Sequence, residues 1–124
     1  MNPIRVFLVE NHPEVSKRVA ARLAYESDIE VAGRANVCDD VVELAGKINP
    51  DIILIDPITE DGSGMITLDE IRATIPDVQI VVLTAVVDTA LKIELKKLGI
   101  DNILEKGIDS DSLLKVLRNM RNGG

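Results

Sequence analysis

The chain contains one cysteine, Cys38, and one histidine, His12. A single thiol cannot close an intramolecular disulfide, which reads as a reducing, cytoplasmic setting. Cys38 has no basic neighbour to activate it and reads as a plain structural residue at the start of a helix. Long hydrophobic runs are missing too. No apolar stretch approaches the ~20 residues that cross a bilayer, and the uncharged segment Val78–Val87 is interrupted by Gln79 and Thr84. The apolar run Val6–Val9 behind one Arg is too short for a signal peptide. Basic residues are outnumbered, 14 Lys and Arg against 21 Asp and Glu, for a net charge of −7. With no Lys/Arg cluster, that balance argues against a domain that grips nucleic acid itself. Aromatics are scarce, Phe7 and Tyr25 only. What remains is an ordinary globular mixture, 46 % hydrophobic and 28 % charged over 124 residues. It is too apolar for intrinsic disorder and has the length of one domain.

An apolar run followed by a helix-like stretch recurs five times, with no internal linker. The apolar runs are Ile4–Val9, Ile29–Ala35, Ile52–Ile55, Val78–Leu83 and Ile103–Leu104. Three are nearly continuous β-branched or Leu stretches without alternation, the pattern of parallel strands buried on both faces. Between them, apolar residues take helical spacing. Val15, Val19 and Leu23 follow Pro13, and Val41, Leu44, Ala45 and Ile48 stop before Pro50. Leu68, Ile71 and Ile75 follow Ser63-Gly64 and stop before Pro76. Leu91, Leu95 and Leu98 follow Asp88, a fitting N-cap, and end at Gly99. Leu113, Val116, Leu117 and Met120 follow Asp109 and Ser110. Regular strand–helix alternation predicts a parallel α/β sandwich over residues 1–121, with 122–124 a frayed end or the start of a linker.

In open α/β sheets the site lies beyond the carboxyl ends of the strands. Here those ends carry Glu10-Asn11, Asp56, Thr84-Ala85 and Glu105-Lys106. If the first and third strands are neighbours, Glu10 and Asp56 meet, and two carboxylates together need a cation or a proton. Such oxygen ligands suit Mg²⁺. A carboxylate nucleophile with a metal, a Lys and a hydroxyl suits phosphoryl transfer onto Asp. The plainer reading is that these residues merely cap strands. Other chemistries lack their motifs. No G-x-G-x-x-G follows the first strand, and no Asp-x-Asp follows the third, which disfavours a dinucleotide fold and a dehalogenase-type phosphatase. Glu10 and His12 lack the Gly that a cobalamin-binding pattern needs, because Val15 stands there.

At this point the residues resemble a family. Ile4-Arg5-Val6-Phe7-Leu8-Val9-Glu10-Asn11-His12-Pro13, Asn49-Pro50-Asp51-Ile52-Ile53-Leu54-Ile55-Asp56, Gly64, Val81-Val82-Leu83-Thr84-Ala85 and Lys106 stand in the order and at the spacing of a NarL-type response regulator receiver domain. The resemblance implies a flavodoxin-like sheet in the order 2-1-3-4-5 and a switch rather than a turnover enzyme. It implies that Asp56 takes a phosphoryl group from a sensor histidine kinase or phosphotransfer protein. Glu10, Asn11, Asp56 and the carbonyl of Ile58 would surround Mg²⁺. Lys106 would pair with a phosphoryl oxygen, Thr84 would turn inward to bond it, and the N–H groups of Ile58 and Ala85 would donate to it. A surface built from the fourth helix, fifth strand and fifth helix would carry signalling contacts or a homodimer. DNA would be reached only through an effector domain not present here, and no membrane is involved.

The chain departs from the family at named places. Asn11 stands where an acid usually ligates Mg²⁺, so metal binding is expected to weaken. Pro57-Ile58-Thr59-Glu60 replaces the usual Met-Pro loop, and Glu60 and Asp61 would either supply a ligand or repel a phosphoryl group. Ile103 takes the place of the aromatic partner of the switch Thr. These departures support an alternative, a phosphorylation-independent pseudo-receiver that serves as an interaction or dimerisation module. A small hydrolase or ligand-binding domain on the same fold is the third reading. The fourth helix adds a second apolar stripe, Val86, Ala90 and Ile93, beside Lys92, Lys96 and Lys97, which read as a solvated face.

Overall fold

Five parallel strands alternate with five helices across residues 2–123, which the computed structural model describes. The elements are β1 (Ile4–Val9), α1 (Pro13–Ala24), β2 (Ile29–Ala35), α2 (Val41–Ile48), β3 (Ile52–Ile55), α3 (Ser63–Thr74), β4 (Gln79–Thr84), α4 (Thr89–Lys97), β5 (Asn102–Glu105) and α5 (Ser110–Gly123). The expected end segment 122–124 reaches outside the described residues, and α5 continues through Gly123. Cys38 is exposed in the turn ahead of α2, not inside a helix, because Asp40 caps α2 by accepting the Glu43 N–H.

The sheet order is β2-β1-β3-β4-β5, as the resemblance implied, and every pair is parallel. The runs without alternation are explained by two cores, one on each face. Phe7, Val9, Ile53, Ile55, Ile80 and Val82 point to the side packed by α2, α3 and α4. Val6, Leu8, Ile52, Leu54, Val81 and Leu83 point to the side packed by α1 and α5. Successive side chains of one strand thus enter different cores, and the central strand β3 carries no polar residue at all.

Local chemistry sets the helix ends. Pro13 opens α1, and Asn49 in the left-handed region (φ 53°) ends α2 before Pro50. Asp88 and Asp109 accept N–H bonds from Leu91 and Ser112 at the starts of α4 and α5. Leu95 is the only buried residue of α4, while Leu91 and Leu98 are partly buried against the same core. Arg72 of α3 donates from Nε to Leu98 O at 2.9 Å and from one terminal nitrogen to Pro76 O and Val78 O. It thereby joins the carboxyl ends of α3 and α4 to the start of β4.

Candidate functional site

The hydrogen-bond ladder continues one residue past three strand ends. Glu10 N–H donates to Ala35 O at 3.0 Å, Asp56 N–H to Val9 O at 3.0 Å, and Lys106 N–H to Thr84 O at 2.7 Å. Each side chain therefore leaves from backbone that the sheet still holds. Val9 pairs with Ile55, so the next residue on each strand, Glu10 and Asp56, emerges at the same edge. This is the carboxyl edge, where the strand order reverses.

Both carboxylates are buried, Glu10 at 6 % and Asp56 at 7 % exposure. One cation lies between them. Lys106 Nζ is 2.8 Å from Glu10 Oε1 and 2.6 Å from Asp56 Oδ2. The ammonium offsets a repulsion that burial would otherwise make costly. Burial pushes the Glu10 carboxyl up, but its bonds to Lys106 and to the N–H and ring of His12 outweigh that and hold it below the usual range. Burial likewise pulls Lys106 down, and the bonds to Asp56 and Glu10 reverse the sign and raise it. The lysine is thus held charged as the positive centre of the cluster.

The other expected residues are placed as follows. The Ile58 N–H donates to Asp56 Oδ1 at 3.0 Å, so this backbone donor already faces the carboxylate. Thr84 is buried at the end of β4 and makes no side-chain hydrogen bond among the described residues, and Ala85 beyond it is exposed. Asn11 is half-buried, and its amide oxygen accepts the Val37 N–H at 2.8 Å, which ties the β1–α1 loop to the turn ahead of α2. One lone pair of that oxygen remains. Asp61 is turned away. Its Oδ1 accepts from Ser63 N–H at 3.0 Å, from Ser63 Oγ at 2.7 Å and from Thr59 Oγ1 at 2.9 Å, at the start of α3. These bonds, led by the Ser63 N–H, hold its carboxyl at about 2.

Two contacts escaped the sequence reasoning. His12 donates its N–H (3.0 Å) and its ring Nδ1–H (2.9 Å) to Glu10 Oε2, so the histidine orients the carboxylate. The signal was the spacing of two residues, at which a loop N–H folds back over an acid. Gly64 is the second. A Cβ there would lie 1.9 Å from Pro57 O, so only glycine lets α3 start against the loop that follows Asp56.

Two carboxylates at one edge are the kind of donors that suit a magnesium ion. Mg²⁺ needs one or two carboxylates and keeps waters, and Glu10 and Asp56 supply two from adjoining strand ends. Among the described residues no cluster of three or more His, Cys, Asp or Glu side chains gathers, so further donors must be amide or carbonyl oxygens. The edge is open. A cavity of about 560 Å³ lies at the opposite end of the strands, lined in part by Arg5, Asp51 and Asp77.

Comparison with known proteins agrees with this geometry. A family model described as the response regulator receiver domain matches residues 6–118. The chain belongs to the response regulator receiver family. Receiver domains are regulatory modules. Among curated relatives, the response regulator VraR of Staphylococcus saprophyticus is 26 % identical over 120 residues, covering 97 % of this chain and 57 % of VraR. The transcriptional regulatory protein DegU of Brevibacillus brevis is 28 % identical over 123 residues, covering 99 % of this chain and 52 % of DegU. The chain thus spans about half the length of these relatives. The fold is shared with the non-phosphorylated receiver domain of RcsB from Escherichia coli, at a TM-score of 0.87 and 22 % identity over 98 % of this chain and 95 % of that one. It is shared equally with a LuxR-family two-component response regulator from Aurantimonas, at a TM-score of 0.88 and 20 % identity over 98 % and 87 %. No helix among the described residues is long and apolar enough to cross a membrane.

Proposed function

We propose that this receiver domain accepts a phosphoryl group on Asp56 from the phosphohistidine of a sensor kinase or phosphotransfer protein. The observation that carries the reading is the Lys106 ammonium bonded to both Asp56 and Glu10 at the carboxyl edge of the sheet. An Asp56 oxygen attacks phosphorus, the phosphorus–nitrogen bond breaks, and the donor imidazole leaves with the electron pair. The product is an acyl phosphate. Lys106 pairs with one phosphoryl oxygen, and the N–H groups of Ile58 and Ala85 and the Thr84 hydroxyl donate to the others. Glu10, Asp56, the Ile58 carbonyl and the free lone pair of Asn11 would hold Mg²⁺, which when bound neutralises charge on the transferring group. The weakest of these donors is Asn11, which is uncharged and already bonded to Val37.

On this reading Thr84 moves toward the phosphoryl group and shifts the neighbouring loop, where Val86 is 66 % exposed. DegU is named as a transcriptional regulator. Any DNA contact would belong to an effector domain outside residues 2–123, and the protein would work in the cytoplasm. The test is intact-mass measurement after incubation with Mg²⁺ and acetyl phosphate. The parent gains one phosphoryl group, Asp56→Asn gains none, and Lys106→Ala gains it far more slowly. A folded parent that gains nothing, from acetyl phosphate or from a kinase donor, overturns the proposal and leaves a pseudo-receiver.

A further inference from the structure

Two neighbouring helices carry matching outward faces of opposite charge. On α3, Ile66 stands midway between Gly64 and Leu68, both buried. Two residues along a helix are about 200°, so Ile66 points directly away from the core, and it is 60 % exposed. On α4, Ile93 stands midway between the core-facing Leu91 and Leu95 and is 53 % exposed. One turn after Ile66 come Asp69 and Glu70, and one turn after Ile93 come Lys96 and Lys97. The spacing is the same on both helices, an isoleucine followed at three and four residues by a charged pair, acidic on one and basic on the other.

These charges are not spent within the molecule. Asp69, Glu70, Lys92 and Lys96 form no ion pair among the described residues, and only Lys97 has a partner, Glu94 at 3.1 Å. Glu94 is also the one acid on α4, and that pairing neutralises it. A shallow groove of about 220 Å³ runs between the helices, lined by Met65, Ile66 and Asp69 of α3 and by Glu94, Lys97 and Leu98 of α4. Ile66 and Asp69 of the acidic motif thus line it opposite Lys97 of the basic one. Parallel connections give α3 and α4 the same direction, and Arg72 locks their carboxyl ends together.

We infer that this face binds a second copy of the chain. A twofold axis along the groove lays α3 of one copy over α4 of the other without reversing direction. Ile66 then meets Ile93 of the second copy, Asp69 and Glu70 meet its Lys96 and Lys97, and symmetry makes each contact twice. The surface differs from the expected one of α4, β5 and α5 because α3 supplies half of it. It stands independently of phosphoryl uptake.

The test is sedimentation velocity of the full chain from about 5 to about 500 µM, at low and at high salt. Dimers are expected to form and to weaken as salt rises. Lys96→Glu with Lys97→Glu, and separately Asp69→Lys with Glu70→Lys, each weaken self-association at least about tenfold. Mixing the two variants restores dimers, since both contacts of the mixed pair are again of opposite sign. That rescue also shows that both variants are folded. A chain that stays monomeric throughout overturns the inference and leaves the face to a different partner. Dimers that ignore both charge reversals overturn it as well.

Discussion

Gly64 shows how one residue supports the site without touching it. The space for its Cβ is filled by the Pro57 carbonyl, 1.9 Å away, and backbone cannot step aside as a flexible side chain can. Gly64→Ala is expected to cost about 2–3 kcal/mol, the upper part of the overpacking range. It should also displace the Pro57-Ile58 loop and with it the N–H held on Asp56. Urea unfolding reads the first effect and the rate of phosphoryl gain the second. Asn11 makes the complementary case. Its oxygen accepts the Val37 N–H and keeps one lone pair that the proposed reading offers to a cation. An aspartate keeps the Val37 bond and adds a charge, and ligand charge sets affinity at hard-cation sites. Asn11→Asp should therefore raise Mg²⁺ affinity about tenfold in calorimetric titration. Unchanged affinity would remove residue 11 from the ligand set.

At the scale of elements, Asp61 belongs to helix α3 rather than to the site. Its carboxylate satisfies the Ser63 N–H, one of the donors that a helix start leaves open. Because its folded value, about 2, lies below the ordinary one, its contribution is fully present above about pH 4 and fades as acid protonates the folded form. Asp61→Ala should lower the melting temperature by a few degrees at neutral pH. The gap should close toward pH 2, where the parent loses the same bonds. A gap constant with pH would show that the carboxylate's bonds to Ser63 and Thr59 do not stabilise the helix start. The strands and helices were readable because each has a period or a stop. Ile52–Ile55 came out as read, and β4 and β5 moved by one residue at their ends. Glu10, Asp56, Thr84 and Lys106 were readable because parallel strands deliver their last residues to one edge. The direction of Asp61, the hold of Asn11 on Val37 and the Arg72 bridge were not. Those depend on the path of a turn after the strand ends, which no apolar pattern encodes.

At the scale of the whole molecule, the last helix is fastened to the turn between α1 and β2 by one guanidinium. Arg118 of α5 donates from Nε to Asp28 Oδ2 at 2.7 Å and from a terminal nitrogen to Glu26 Oε1 at 2.8 Å, spanning more than 90 positions at its longest. Arg22 of α1 reaches the same Glu26. The cluster lies where α1 turns into β2, beside the core that α1 and α5 share. Hydrogen bonds from Arg118 lead the causes that lower Asp28, and those from Arg22 and Arg118 lead for Glu26. Carboxyls depressed in the folded state stabilise it above their unfolded values, near 4, and stop doing so as pH falls through the folded ones. Arg118→Met keeps much of the stem's packing and removes the charge. Its urea midpoint should lie below the parent's at pH 7, and the gap should narrow as pH falls below the carboxyls' unfolded values, because the parent progressively surrenders what the variant never had. Parallel midpoint curves across that range would mean that Arg118 holds α5 by packing alone. In a chain of net charge −7, removing this cation also adds repulsion at neutral pH. Repeating the pH 7 comparison in high salt separates the two, since screening relieves general repulsion and leaves a short bonded pair largely intact.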